Sequence, residues 1–372
     1  MSARKKVKNM LRDTYTPNYL EVNRKVLEQN AKAVVDYLDT EVIAVVKFDG
    51  YGMTIVEAAR AWQKAGVRKF AVSESWEALA LRQAGFTEDI LLTIPVMEPQ
   101  TFKELLSNNI ILMVSDLDNA RFYQENRGDT VVRVHVKVDT GMGRFGVHWT
   151  DIEQLKSIYG LEGFSFEGIY SHFGKSFEKT YDKTKQQMDR FMGVLDALKA
   201  AGIEVGMRHI ANSCAALRFP ETRLDAVRVG SALVGSLIAE SPVPLSSPGV
   251  FKAQVVGMRK IRKGDTMGYA SVYKAKKDMT VAVVAVGEES GFAMTCIPEP
   301  LPLRDFVSYL RSVLSRYLNP PFVTFGNQKL PMVGRIGSRH TSFDATGTDV
   351  KVGDYVSVKI HLTQCVAERK FI

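Results

Sequence analysis

Val42-Ile43-Ala44-Val45-Val46-Lys47-Phe48-Asp49-Gly50-Tyr51-Gly52 is an apolar run that ends in a lysine, followed by a tyrosine between glycines. Five consecutive aliphatic residues without polar alternation suit a strand buried on both faces, as in a parallel sheet covered by helices. Strand-like runs recur at 69–73, 90–95, 110–114, 131–139, 165–173, 207–212 and 226–235. Helical periodicity fills the intervals at 55–65, 76–84, 101–106, 119–125 and 184–200, and 23–38 precedes the first strand. Gly66, Gly85 and Gly202 fall just past helix ends, where a left-handed cap favours glycine. An open doubly wound sheet usually stops at about five or six strands. Eight strand–helix repeats therefore predict a (β/α)8 barrel of the TIM type.

Residues 240–250 are rich in Pro and Ser and read as a linker. Beyond them come short strands, at 281–286 and 355–360, and two Gly-Asp turns, Lys263-Gly264-Asp265 and Val352-Gly353-Asp354. One helical insert is expected near 303–318. The fold class is α/β, with the barrel over 1–245 followed by a mostly-β domain over 246–372.

The chain has 372 residues, 45% of them hydrophobic and 24% charged, which is the composition of an ordinary globular protein. Its net charge of +8 comes partly from Arg4, Lys5, Lys6 and Lys8, a short cluster without interleaved aromatics that reads as a solvated arm, not a nucleic-acid site. Cys214, Cys296 and Cys365 lie far apart without metal-ligand spacing, so neither a disulfide framework nor a metal site is expected. No apolar run approaches a membrane span. A cytoplasmic protein without membrane or nucleic-acid partners is the expectation.

Active sites of such barrels lie at the carboxyl ends of the strands. Lys47 ends the first strand, where burial favours its neutral, nucleophilic amine, suited to carbonyl and pyridoxal phosphate chemistry. An ordinary lysine reaching solvent would look the same in isolation. After the fifth strand, Lys137-Val138-Asp139-Thr140-Gly141-Met142-Gly143-Arg144-Phe145-Gly146 joins a glycine-rich turn to Arg144, a donor fork for a carboxylate or phenolate. The sixth strand ends in Ser171-His172-Phe173. The seventh ends in His209-Ile210-Ala211-Asn212-Ser213, where Ser213 is either a plain cap or a phosphate ligand. The eighth, Val227-Arg228-Val229-Gly230-Ser231, adds a second arginine and backbone donors. One amine, two guanidiniums, an imidazole and a phosphate cradle suit pyridoxal phosphate.

In order and spacing these residues resemble the alanine racemase family, whose members read VKADAYGHG where this chain has Val46-Lys47-Phe48-Asp49-Gly50-Tyr51-Gly52-Met53-Thr54. Lys263-Gly264-Asp265-Thr266-Met267-Gly268-Tyr269 likewise resembles the family's KGD-x-VGYG, with Ala270 in place of the last glycine. The resemblance implies that Lys47 carries pyridoxal phosphate and acts as one base. It implies Tyr269 as the opposite base, supplied by a partner subunit in a homodimer. A phenol of pKa about 10 needs cationic or hydrogen-bonding help to serve as a base, here from His172 and the arginines. It further implies that Arg228 faces the pyridine nitrogen and that Arg144 meets the cofactor's phenolic oxygen and the substrate carboxylate. Tyr51, Ser213, Gly230 and Ser231 would hold the phosphate, with Asn212 beside them, and Lys137 matches a lysine that many members carbamylate.

The second domain departs from the family. Gly287-Glu288-Glu289-Ser290-Gly291 stands for GYADG, so Glu288 replaces an entrance tyrosine. Gly337-Ser338-Arg339 stands for the Cys-Met-Asp of the substrate pocket, and a C-terminal phosphate-binding tyrosine has no counterpart. Ser338 and Arg339 would make the pocket roomier and more cationic, unless Arg339 simply pairs with Glu288. A racemase with alanine as its default substrate leads. A racemase of serine, ornithine, lysine or an acidic amino acid stays open, as do a related decarboxylase and a non-catalytic pyridoxal phosphate carrier.

Overall fold

In the computed structural model, which describes residues 18–178, 180–293, 303–360, 362–365 and 367–372, all eight expected barrel strands form. They are Glu41–Val45, Lys69–Val72, Asp89–Leu92, Ile111–Val114, Val132–Asp139, Phe164–Tyr170, Met207–His209 and Ala226–Val229. Each pairs in parallel with the next in chain order, and the eighth returns to the first with Arg228 opposite Ile43, closing the sheet. Arg4, Lys5, Lys6, Lys8 and Cys296 lie outside the described residues.

Alternation within the fifth strand explains how the barrel is filled. Val132, Val134, Val136 and Val138 are fully buried on one face, each contributing about 1.5–3 kcal/mol by leaving water. Arg133, His135, Lys137 and Asp139 share the other face. Inside the barrel, Ile43, Ala71, Leu91, Ile111 and Ala226 form an apolar cluster with Val45 and Met207 against it. The later strands add buried His135, Lys137, His209 and Arg228. The interior thus has an apolar part, largely from the first four strands, and a polar part from the last four.

The barrel unit spans Arg24–Pro248, and Gly249–Ile372 forms a second unit together with the strand Tyr19–Val22. That strand lies within the stretch 1–245 expected to be barrel, yet it pairs antiparallel with Gly249–Ile261 and parallel with Glu368–Phe371. Its alternating burial is that of a strand with one covered face, unlike the continuous burial of barrel strands. In the second unit, Gly249–Ile261, Met279–Val284, Thr341–Asp344, Gln328–Val333, Phe322–Phe325 and Tyr355–Val358 pair antiparallel in a closed ring. The helix Leu303–Leu318 interrupts this sequence of strands, where an insert was expected. The two Gly-Asp turns are built alike: Asp265 Oδ2 accepts the Arg262 N–H at 2.9 Å, and Asp354 Oδ2 accepts the Lys351 N–H at 2.8 Å. No helix among the described residues is long and apolar enough to cross a membrane.

Candidate active site

Lys47 leaves the first strand in extended conformation and opens a tight left-handed turn. Phe48, Asp49, Gly50, Tyr51, Gly52 and Thr54 all have positive φ, four of them without the glycine that would relieve the strain. Asp49 secures this turn by accepting the Ile55 N–H at 2.9 Å on its side chain. At Gly50 a Cβ would lie 2.9 Å from that of Ala58, so only glycine fits. The turn holds the Lys47 Nζ 5.2 Å from the Phe48 ring centre and 6.0 Å from that of Tyr51. Burial and the nearby Arg144 charge lower the Lys47 pKa, which enriches the neutral amine, and the Glu77 carboxylate opposes them.

Tyr51 reaches from this turn to the end of the eighth strand. A Cβ on Gly230 would sit 2.8 Å from Tyr51 Cζ and closer still to its hydroxyl. The Gly230 N–H donates to Ser213 Oγ at 3.1 Å, so a phenol, a hydroxyl and a glycine backbone converge. Burial first, and then Glu77, raises the Tyr51 pKa, so the phenol stays a donor. Ser231 opens the short 3-10 turn Ser231–Val234 at the same strand end. Asn212 caps the following helix, accepting the Ala215 N–H at 3.1 Å and the Ser176 hydroxyl at 2.7 Å. A glycine whose Cβ would fill the space thus sits between two hydroxyl groups, those of Tyr51 and Ser213.

Arg228 is almost fully buried and makes no ion pair among the described residues. Its Nη2 donates to the Ser171 carbonyl at 2.6 Å and lies 3.1 Å from His172 Nδ1, while Nη1 lies 2.7 Å from His209 Nδ1. Without a carboxylate to offset burial, its pKa falls to about 10, which still leaves it cationic at neutral pH. Burial, and then the charge of Arg228, drives the His172 pKa well below its ordinary value. The ring is therefore neutral, and with Nδ1 accepting from Arg228 its proton sits on Nε2.

The glycine-rich loop is folded around Asp139. Its carboxylate accepts the N–H groups of Gly141, Met142 and Gly143 at 2.8–3.1 Å, which lowers its pKa against burial. Arg144 is exposed in this loop, and its charge acts on Lys47, Lys137 and His172. Lys137 is buried with its Nζ donating to the Val138 carbonyl at 2.7 Å. Burial, then Arg228, brings its pKa down to about 7. Gly146 is required here, since a Cβ would stand 2.8 Å from Lys137 Cγ.

Residues 22–237 match the family model "Alanine racemase, N-terminal domain", and residues 250–364 match "Alanine racemase, C-terminal domain". The chain belongs to the alanine racemase family. It is 33% identical to the alanine racemase of Desulforamulus reducens over 74% of this chain and 77% of that protein. It is 30% identical to that of Methanococcus maripaludis over 92% and 88% of the two chains. A solved structure of alanine racemase from Clostridium difficile 630 superposes with a TM-score of 0.82 at 25% identity, covering 96% of each chain.

In the second unit, the two segments that depart from the family pattern are bound to each other. The Glu288 and Glu289 N–H groups donate to the Gly337 and Ser338 carbonyls, both at 3.0 Å. A Cβ on Gly287 would lie 2.6 Å from the Ser338 oxygen, so the two segments pack backbone against backbone. Arg339 pairs with Glu289 at 2.6 Å and not with Glu288, the pairing that the sequence left open as one alternative. Tyr269 opens a 3-10 turn after Gly268 at φ +75°, and its side chain lies outside the described residues. Ala270, where the family carries glycine, is itself left-handed at φ +57°.

Sequence reasoning missed three groups. Glu77 is 1% exposed and accepts three hydrogen bonds from Ser73 and Glu74. Its capping-box position, three residues after Glu74, was a legible signal. His135 and Asp139 share the inward face with Lys137, and the period-two alternation of the fifth strand would have found them.

Proposed function

We propose that this chain is a pyridoxal-phosphate-dependent racemase that interconverts L- and D-alanine. The observation that carries the reading is the cradle of Tyr51, Ser213 and Gly230, beside a lysine of lowered pKa and a buried arginine without a carboxylate. Bound pyridoxal phosphate supplies an electron sink that acidifies the Cα–H of an attached amino acid. The protein's groups supply everything else. Tyr51, Ser213 and the amides of Gly230 and Ser231 would hold the phosphate, with Asn212 fixing the helix beside them. Arg228 would face the pyridine nitrogen, and a guanidinium that keeps its protons leaves that nitrogen unprotonated. Lys47 would attach the cofactor and move the Cα proton on one face.

Tyr269 of a second copy would serve the opposite face, which makes the working form a homodimer. The Nε2–H of neutral His172 is the donor that would stabilise its phenolate. Arg144 would bind the substrate carboxylate. Lys137, whose amine is half neutral near pH 7, can add carbon dioxide, and the resulting carbamate would be an anion close to Arg144. Well-separated cysteines and the absence of a membrane-crossing helix among the described residues support action in the cytoplasm.

Borohydride reduction followed by peptide mass analysis tests the attachment, with the cofactor expected on the Lys47 peptide. Incubation with L-alanine in deuterated water should yield both enantiomers with deuterium at Cα. No exchange with alanine would refute the proposal. Carbon dioxide release would transfer the chain to the decarboxylases, and full cofactor loading without exchange of any amino acid would make it a carrier.

A further inference from the structure

Beneath Arg228 lies a chain of buried imidazoles that no step above uses. His209 Nε2 is 2.8 Å from His135 Nδ1, and both side chains sit inside the barrel, 0% and 5% exposed. The order of donors along the chain is fixed from one end. A guanidinium only donates, so His209 Nδ1, at 2.7 Å from Arg228 Nη1, must accept. His209 then carries its proton on Nε2, and His135 Nδ1 must accept that proton, which leaves the His135 proton on Nε2. That last nitrogen belongs to a ring lining a cavity of about 40 Å³ at the other end of the barrel, with Lys69, Asp89 and Glu167 among its walls. A cavity of this size holds a water molecule.

The barrel reserves room for this arrangement. A Cβ on Gly168 would come within 2.7 Å of His135 Cε1 and 2.8 Å of its Nδ1. The Tyr170 ring stacks flat on His209 at 4.9 Å, and Arg228 lies 4.8 Å from the centre of the same ring. We propose that His135 is a positioning residue: it locks the tautomer of His209, which in turn aims Arg228 at its site. Without an acceptor at 135, the His209 Nε2–H would lose its protein partner. Moving the proton to Nδ1 would set donor against donor at Arg228, so Nη1 would lose its 2.7 Å partner and keep only the 3.3 Å bond to the His209 carbonyl. The consequence for the cofactor rests on the reading of Arg228 given above, whereas the tautomer itself does not.

The chain has six histidines, which makes imidazole nitrogen spectra of the ¹⁵N-histidine-labelled full-length protein tractable. Long-range proton–nitrogen correlation should show His135 and His209 as neutral Nε2–H tautomers that do not titrate between about pH 5.5 and 8.5. The groups that face His135 are His209, Arg228, Lys69, Asp89, Arg133 and Glu167. In His135→Leu the His209 signals should leave the Nε2–H pattern, and cofactor affinity should fall about tenfold, as for other outer-shell partners. His135→Gln offers a carbonyl in place of the ring nitrogen and should restore both. A wild-type His209 that is protonated on Nδ1 or charged would overturn the proposal, even if His135→Leu fails to fold. So would a folded His135→Leu with unchanged His209 signals, or a His135→Gln that fails to rescue. Each of these outcomes is read without turnover, so a failed tautomer leaves the racemase reading standing and a failed racemase reading leaves the tautomer measurable.

Discussion

Gly230→Ala isolates the contact on which the phosphate cradle depends. Gly230 has negative φ, so glycine is needed for space and not for conformation. The new methyl would stand 2.8 Å from Tyr51 Cζ and 3.0 Å from Cε2, with the hydroxyl nearer still. To regain an ordinary 3.4 Å contact the ring must back away by roughly 0.6 Å, and the hydroxyl by more. Tyr51 cannot follow through its backbone, because the left-handed turn from Phe48 to Thr54 is locked by Gly50 and by the Asp49 cap. The phenol would therefore swing out of the cradle and lose a charge-assisted hydrogen bond worth about 1.5–3 kcal/mol. That corresponds to roughly ten- to hundredfold weaker cofactor binding. The assay is absorbance titration of the cofactor-free protein with pyridoxal phosphate, run on wild type, Gly230→Ala, Tyr51→Phe and the double variant. Since one hydrogen bond is lost in each single variant, the double should be little worse than either. Additive losses, or wild-type affinity in Gly230→Ala, would refute the reasoning.

Lys47→Arg should abolish borohydride-fixable cofactor and cut racemisation by at least about a thousandfold, because a guanidinium stays protonated and cannot act as nucleophile or base. Lys137 is held near pKa 7 in the folded state, against an ordinary value of 10.5. Between those values the unfolded chain binds the extra proton, so stability rises with pH. In carbonate-free buffer, the melting-temperature advantage of Lys137→Met over wild type should therefore shrink from pH 7 to pH 9; a constant offset would show that the amine is not buried neutral. His135 acts in the same sense at lower pH: its pKa is down to about 3, so the unfolded chain takes up the proton and stability drains away as pH falls from 6.5. His135→Gln should flatten that acid limb in denaturant midpoints taken from pH 7 to pH 4. An acid limb as steep as that of wild type would assign the loss to other groups.

The barrel was legible because its strands are buried on both faces and its helices end at glycines, two local signals that survive without tertiary knowledge. Gly66, Gly85 and Gly202 all take the left-handed conformation that their place in the pattern demands. Residues 19–22 fell inside the stretch expected to be barrel because local sequence says nothing about partner choice. The residues they pair with begin at Gly249, more than two hundred positions away, and such pairing is a property of the folded ensemble of strands. The residues with conspicuous chemistry, Lys47, Arg144, His172 and Arg228, stood out by type and position. What did not stand out were the groups that set their charge states. Glu77 opposes the fall of the Lys47 pKa from a helix whose sequence reads as ordinary capping, and Asp139 shapes the Arg144 loop through backbone amides that no motif displays. Local type identifies an arginine as a candidate, but whether it meets a carboxylate is decided by three-dimensional neighbours. Arg228 meets carbonyls and neutral imidazoles instead of a carboxylate, and that choice of partners keeps its charge available to a ligand. The Lys47 that ends the first strand thus depends on residues 30 and 97 positions away, Glu77 and Arg144, for the proton it holds or gives up.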